Sequence, residues 1–308
     1  MTKYILRRLL QMIPVILGAT FLIYAMVFAL PGDPTQNKCG ERPCPPAFVA
    51  KFKADHNLND ALPVQYGKFM VKLSQGDFGT TYNGTEVKDE LVKRYPITMR
   101  LAIIAILFET VLGILAGVMA GIRKGKFADN LVLLTTLVVI SIPLFVIGSV
   151  AQTFLGLKLH LFPVTVSAQA SWYELLLPGM VLGTLSLAYI ARLTRTNLAE
   201  NLRADYVRTA VAKGLTRTRT IGLHTLRNSL IPVVTYIGAD FGALLGGAII
   251  TERIFNIRGV GGYIFQSIAL KDGVAVVGAV TVLVIVYLFM NLLVDLLYGV
   301  LDPRISHD

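Results

Sequence analysis

Residues 205–232 read DYVRTAVAKGLTRTRTIGLHTLRNSLIP, the most basic stretch of the chain, with membrane-length apolar runs on both sides. Its first half has helical period. Tyr206, Val207, Ala210, Val211 and Leu215 gather on one face, while Arg208, Thr209 and Lys213 point elsewhere. Asp205 suits an N-cap and Gly214 a C-terminal stop, and a second helix start follows at Thr216. A short, charged, amphipathic helix is therefore expected between two membrane spans, placed to touch a partner.

Composition sets the class. The chain has 308 residues, 54% hydrophobic and only 16% charged, with a mean hydropathy of +0.63. Soluble domains carry about 25% charged residues, so this is a helical membrane protein. The net charge of +10 could suggest nucleic acid. Its placement in short loops beside apolar runs instead reads as the positive-inside bias, with no nucleic-acid partner.

Six runs reach the roughly 17–25 residues a bilayer crossing needs. They are about Leu9–Leu30, Leu101–Ile122, Leu131–Leu157, Leu175–Ala191, Leu230–Ile250 and Val274–Val294. The first exceeds the roughly 7–15 residues of a signal-peptide core, so it is expected to remain as a span. Lys3, Arg7, Arg8, then Arg123, Lys124, Lys126, then Arg192 to Arg227, then Arg304 fall on one side of this scheme. The short loops of the other side hold Lys158, Arg253, Arg258 and Lys271. Both termini and the 205–232 stretch are therefore expected in the cytoplasm. The chain divides into residues 1–30, the N-terminus and first span; 31–97, an extracytoplasmic loop or cap; and 98–308, a five-helix core with a cytoplasmic loop at about 192–229.

Both cysteines, Cys39 and Cys44, lie in the outer loop. Outside the cytoplasm so close a pair is expected to close a small disulfide ring, with two free thiols as the alternative. Within the spans, Gly113, Gly117 and Gly121, and again Gly238, Gly242 and Gly246, recur every fourth residue. Such faces let another helix backbone lie close, or slide during transport. Glu109 and Asp240 sit deep in their runs, where ionisable groups are costly and mark a polar path or a partner; Asp295 lies near the inner surface. Pro143 is expected to kink the third span.

No phosphate-binding loop occurs; Gly121–Phe127 has the wrong spacing and lacks the hydroxyl. The histidines His56, His160, His224 and His307 are scattered, so neither a metal centre nor a Ser–His pair is expected, and the chain is not expected to be an enzyme.

Residues Arg208 to Gly214 match the E-A-A-x-x-x-G coupling signature of bacterial ABC importer permeases, with Arg208 and Thr209 in its first two positions. The longer run Asp205 to Leu215, followed by His224 and Leu226-Arg227-Asn228-Ser229-Leu230-Ile231-Pro232, resembles the dipeptide/oligopeptide permease family. So do Tyr4 with Arg7-Arg8-Leu9, Leu30-Pro31-Gly32-Asp33-Pro34, Gly76-Asp77-Phe78-Gly79, Glu252 with Phe255 and Gly259-Val260-Gly261, and Leu292 to Tyr298 with Leu301-Asp302-Pro303-Arg304. Arg258 stands where that family often has proline. The large first outer loop favours the first of the family's two permease subunits.

The resemblance implies a six-helix, all-α type I ABC importer permease of the bacterial plasma membrane, with both ends cytoplasmic. Its partners would be a second homologous permease, two ATPase domains or subunits that bind the ATP and Mg, an extracytoplasmic binding protein facing Glu252, Phe255, Gly259 and Gly261, and membrane lipid. Asp205, Tyr206, Val207, Arg208, Ala210, Lys213, Gly214 and Leu215 would form the helix seated on an ATPase. Similar permeases handle haem, nickel or glutathione. The rivals are an ion-driven secondary transporter carrying on Glu109 and Asp240, and a receptor subunit that merely docks the binding protein.

Overall fold

The computed structural model describes residues 2–29, 44–55, 57–245 and 248–301. In chain order the helices are α1 (Thr2–Phe28), α2 (Pro46–Asp55), α3 (Leu62–Ser74), α4 (Val87–Ile122), α5 (Phe127–Ser141), α6 (Leu144–Ala151), α7 (Trp172–Asn201), α8 (Asp205–Ala212), α9 (Arg217–Arg219), α10 (Leu226–Leu245), α11 (Ile249–Ile254), α12 (Val260–Ala269) and α13 (Gly273–Leu301). Two π-helical stretches, Gln152–Lys158 and Thr220–Thr225, extend α6 and lead into α10. Among the described residues, five helices are long and apolar enough to cross a membrane, and α5 with the α6 segment makes a sixth crossing bent by 101°.

That bend replaces the expected kink. Proline lacks an N–H and pushes the residue before it out of the helical region. Ile142 is accordingly extended, at φ −97° and ψ 127°. The helix stops at Ser141 and α6 restarts behind Pro143, whose carbonyl accepts from the Val146 amide at 2.9 Å.

The bent pair still crosses the membrane, because α4 and α7 run parallel. Gly179 of α7 packs on Ile104, Gly113 of α4 on Ile190, Gly117 on Ala191 and Thr194, and Gly121 on Leu198. Two consecutive spanning helices can run parallel only if the segment between them returns to the first face. Against this pair α10 and α13 pack antiparallel, Gly238 meeting Val294 and Gly242 lying near Met290. Arg8 of α1 pairs with Asp295 of α13 at 3.3 Å, while Gly273 meets Val27 and Phe28 at the opposite end. The start of α1, the end of α13 and α8 therefore share one face.

The outer piece is tied to α1 and α13. Tyr66 of α3 donates to the Leu17 carbonyl at 3.0 Å and meets the Thr20 hydroxyl at 2.9 Å. The turn at Gly76–Gly79 lies on α13, where Gly278 has no side chain to obstruct the Phe78 carbonyl. Asp272 accepts from the Tyr82 amide at 2.8 Å and caps α13 through the Ala275 amide at 3.1 Å. Residues 87–97 are the first turns of α4, which runs unbroken into the membrane part. The expected Cys39–Cys44 pairing falls on Cys39, which lies outside the described residues, as does Gly246.

Candidate functional site: an inner-face helix and a buried carboxyl pair

The α8 helix hangs between the inner ends of α7 and α10. Its N-cap is Ala204, whose side chain can cap nothing; Asp205 is instead the first helical residue, a correction to the sequence reading. There its carboxylate still faces the positive end of the helix dipole and lies 3.6 Å from Arg208, an exposed pair worth little by itself. Gly214 stops the helix at φ +81°, with the Gly214 amide donating to Val211 at 2.9 Å and the Leu215 amide to Ala210 at 3.2 Å. These two bonds make a Schellman motif, which needs a left-handed residue at that position. The next helix starts behind Thr216, as expected, with Thr216 at the N-cap position but making no side-chain capping bond.

The apolar face of α8 is only partly covered by the chain. Val207 is buried and Ala210 and Leu215 half-buried, whereas Tyr206 is 39% and Val211 58% exposed. Arg208 and Lys213 are exposed beside them. Tyr206 donates from its hydroxyl to Asn201 Oδ1 at 3.2 Å, and Asn201 Nδ2 donates to Ser229 Oγ at 3.0 Å.

Nearby, Arg195 of α7 donates from Nε and Nη2 to the two carboxylate oxygens of Asp129 at 2.8 and 2.7 Å, and the Gly125 amide adds a third donor at 2.8 Å. This fastens the start of α5 to the inner end of α7. Residues 129 and 195 stand 66 apart in the chain, so no local pattern announces the pair.

Deeper in the membrane part, Glu109 of α4 is fully buried and, among the described residues, neither of its carboxyl oxygens meets a donor. Asp240 of α10 lies against it, with Oδ2 also unpartnered. Gly183 of α7 makes room for the pair, since a Cβ there would stand 3.2 Å from Glu109 Oε2. Tyr189 and Tyr236 stack beside this cluster with centroids 6.2 Å apart. Glu109 is walled in, whereas Asp240 is half-buried as a residue although its Oδ2 is out of solvent. Gly179 and Gly183, four residues apart on α7, complete the close helix contact from the other side; that spacing is visible in the sequence but went unread.

The outer loop departs from expectation. Glu252, Phe255, Gly259 and Gly261 are all buried and face inward, so they do not present themselves to an external protein. Glu252 accepts from the Thr98 hydroxyl at 2.7 Å and the Gly262 amide at 2.7 Å, and Thr98 accepts from the Val260 amide at 2.9 Å. The carboxyl thus anchors the start of α12, and a side chain on Gly259 would collide with it. Arg253, Asn256 and Arg258 form the exposed surface of this loop. Glu252 lies outside the spanning helices. Burial pushes its carboxyl up to about 7, against the opposing pull of these donors and of Arg94.

Six crossings around close glycine contacts, with an inner-face helix whose apolar side is left partly open, define a multi-pass permease subunit. The chain belongs to the family of binding-protein-dependent transport system inner membrane components, whose model matches residues 113–307, with the model of the family's N-terminal part matching residues 1–102. It therefore has the type I ABC permease fold and resides in the bacterial inner membrane. It is 36% identical to the dipeptide transport system permease protein of Escherichia coli K12, covering all of this chain and 99% of that one. It is 35% identical to the dipeptide permease of Alkalihalophilus pseudofirmus, with both chains covered in full. The glutathione transport system permease of Salmonella typhimurium is 33% identical, again over both whole chains.

Proposed function

We propose that this chain is one of two homologous permeases in an ATP-driven importer of di- and oligopeptides. The observation that carries this reading is α8, a short inner-face helix stopped at Gly214, with Tyr206 and Val211 exposed beside Arg208 and Lys213. Exposed apolar side chains ringed by cations suit a groove with acidic walls on a cytoplasmic ATPase. ATP and Mg would be held by two such ATPase subunits, and this chain would be non-catalytic. An extracytoplasmic binding protein would deliver substrate to the outer face, and inner-leaflet lipid would meet the loop arginines. The uncovered side of Asp240, backed by Glu109, would line the path shared with the second permease. Whole-chain similarity to the dipeptide permeases supports a peptide substrate, and similarity to a glutathione permease keeps the small thiol peptide as the second candidate.

The test is uptake of labelled dipeptides, longer peptides and glutathione in a strain lacking this gene. Complementation by the chain is expected only when its binding protein and both ATPases are present. Uptake into vesicles holding this chain alone would overturn the reading in favour of an ion-driven carrier.

A further inference from the structure

We infer that Asn201 is a positioning residue that locks α8, α7 and α10 into one mechanical unit, so that a displacement of α8 moves both spanning helices together. The inference rests on the reading of α8 as the ATPase contact.

Asn201 ends α7 and makes two bonds of a three-bond relay that runs in one direction. The Tyr206 hydroxyl of α8 donates to Asn201 Oδ1 at 3.2 Å, Asn201 Nδ2 donates to Ser229 Oγ at 3.0 Å, and Ser229 Oγ donates to the Thr225 carbonyl at 2.8 Å. Because the hydroxyl hydrogen of Ser229 is committed to Thr225, its oxygen must accept, which sets the orientation of the Asn201 amide. Ser229 is fully buried, one turn into α10, and also lies 3.4 Å from the Asn197 carbonyl of α7. Its place in the Arg227-Asn228-Ser229-Leu230 run is thereby explained.

Apart from this chain of bonds, α8 holds to the membrane part through apolar packing on the 220–225 stretch, with Val207 buried and Ala210 half-buried, and through two short connections. Val207 resists approach but not sliding, since apolar packing has no direction. Hydrogen bonds do have direction, and those of Asn201 reach the ends of both spans. Without them α8 could shift on its own apolar contact while α7 and α10 stayed in place.

The experiment uses the complete transporter in proteoliposomes, with binding protein and ATPases, and reads substrate molecules imported per ATP hydrolysed. Poor assembly lowers uptake and hydrolysis together, so it leaves this ratio unmoved. Asn201→Ala is expected to lower the ratio by about threefold or more. Tyr206→Phe, which removes one hydroxyl and serves if Asn201→Ala fails to assemble, should lower it less. The pair Tyr206→Phe with Ser229→Ala should be no worse than Asn201→Ala alone, because all three interrupt the same bonds. In the same vesicles, Val211→Cys should cross-link to an ATPase cysteine. Cross-linking with an unchanged ratio in Asn201→Ala and Tyr206→Phe overturns the lock alone. Absence of any cross-link overturns the reading of α8 and the lock with it.

Discussion

Arg195 grips both carboxylate oxygens of Asp129, at 2.8 and 2.7 Å, and that contact joins two residues that the chain separates by two membrane crossings, out through α5 and α6 and back through α7. Asp129 is 1% exposed, so removing Arg195 strands a carboxylate out of water, while removing Asp129 leaves an 18%-exposed guanidinium that still reaches solvent. Arg195→Ala is expected to cost about 3 kcal/mol and Asp129→Ala less. The exchange Asp129→Arg with Arg195→Asp should recover only part of this, because the Gly125 amide also requires an acceptor at position 129. Thermal unfolding of the purified chain in detergent measures all three, and full recovery by the exchange would show that the amide bond is dispensable.

Gly117 shares with Gly179 the tightest approach of the α4–α7 contact, and at Gly117 the obstruction includes backbone. A Cβ there would lie 2.5 Å from the Ala191 carbonyl oxygen and from Thr194 Cβ, neither of which can swing aside. Gly117→Ala should therefore destabilise by about 2 kcal/mol, the ordinary cost of overpacking. Gly18→Ala, with nothing within 4 Å, is the matched control and should leave the melting temperature in place.

Gly214 is constrained in another way. Nothing lies within 4 Å of an added Cβ, but φ is +81°. The requirement is for left-handed backbone and not for empty space within this chain. Gly214→Asn should keep most transport, since asparagine tolerates that region, whereas Gly214→Val should lose at least 1 kcal/mol of local stability and much of the import per ATP. Equal losses in the two variants would instead place a partner surface against this position.

Glu252 should make the outer loop sensitive to pH. Its carboxyl is pushed from an ordinary 4.5 up to about 7, so the folded chain holds the proton more tightly than the unfolded one. The resulting stabilisation is complete below about 4.5 and lost as pH rises through about 7, at most about 3 kcal/mol in all. Hydrogen exchange at the Gly261 and Gly262 amides, corrected for intrinsic rates, should show protection falling between pH 5 and pH 8. Glu252→Gln should flatten that dependence.

Six apolar runs, the side that carries the arginines, the stop at Gly214 and the restart at Thr216 were all legible in sequence, because each follows from local chemistry. Length in hydrocarbon demands a helix, a missing Cβ permits positive φ, and charge density marks a face. Pro143 was legible as an irregularity but not in its degree. Whether a proline kinks a span or breaks it depends on what supports the freed carbonyls on either side. Glu252 shows the limit of motif reading. Its loop was recognisable, yet the direction of the side chain depends on Thr98, a residue 154 positions away.

The sequence by itself determined an all-helical membrane protein and the position of its inner-face helix, since both rest on periodicity, composition and residues near one another in the chain, while its permease family was legible through resemblance of motifs. Only the tertiary structure decided which groups meet. It set α4 parallel to α7, joined Glu109 to Asp240 and Arg195 to Asp129, and ran Tyr206 through Asn201 to Ser229. Those pairings arise when glycine faces bring distant helix backbones close enough for side chains far apart in sequence to share one space.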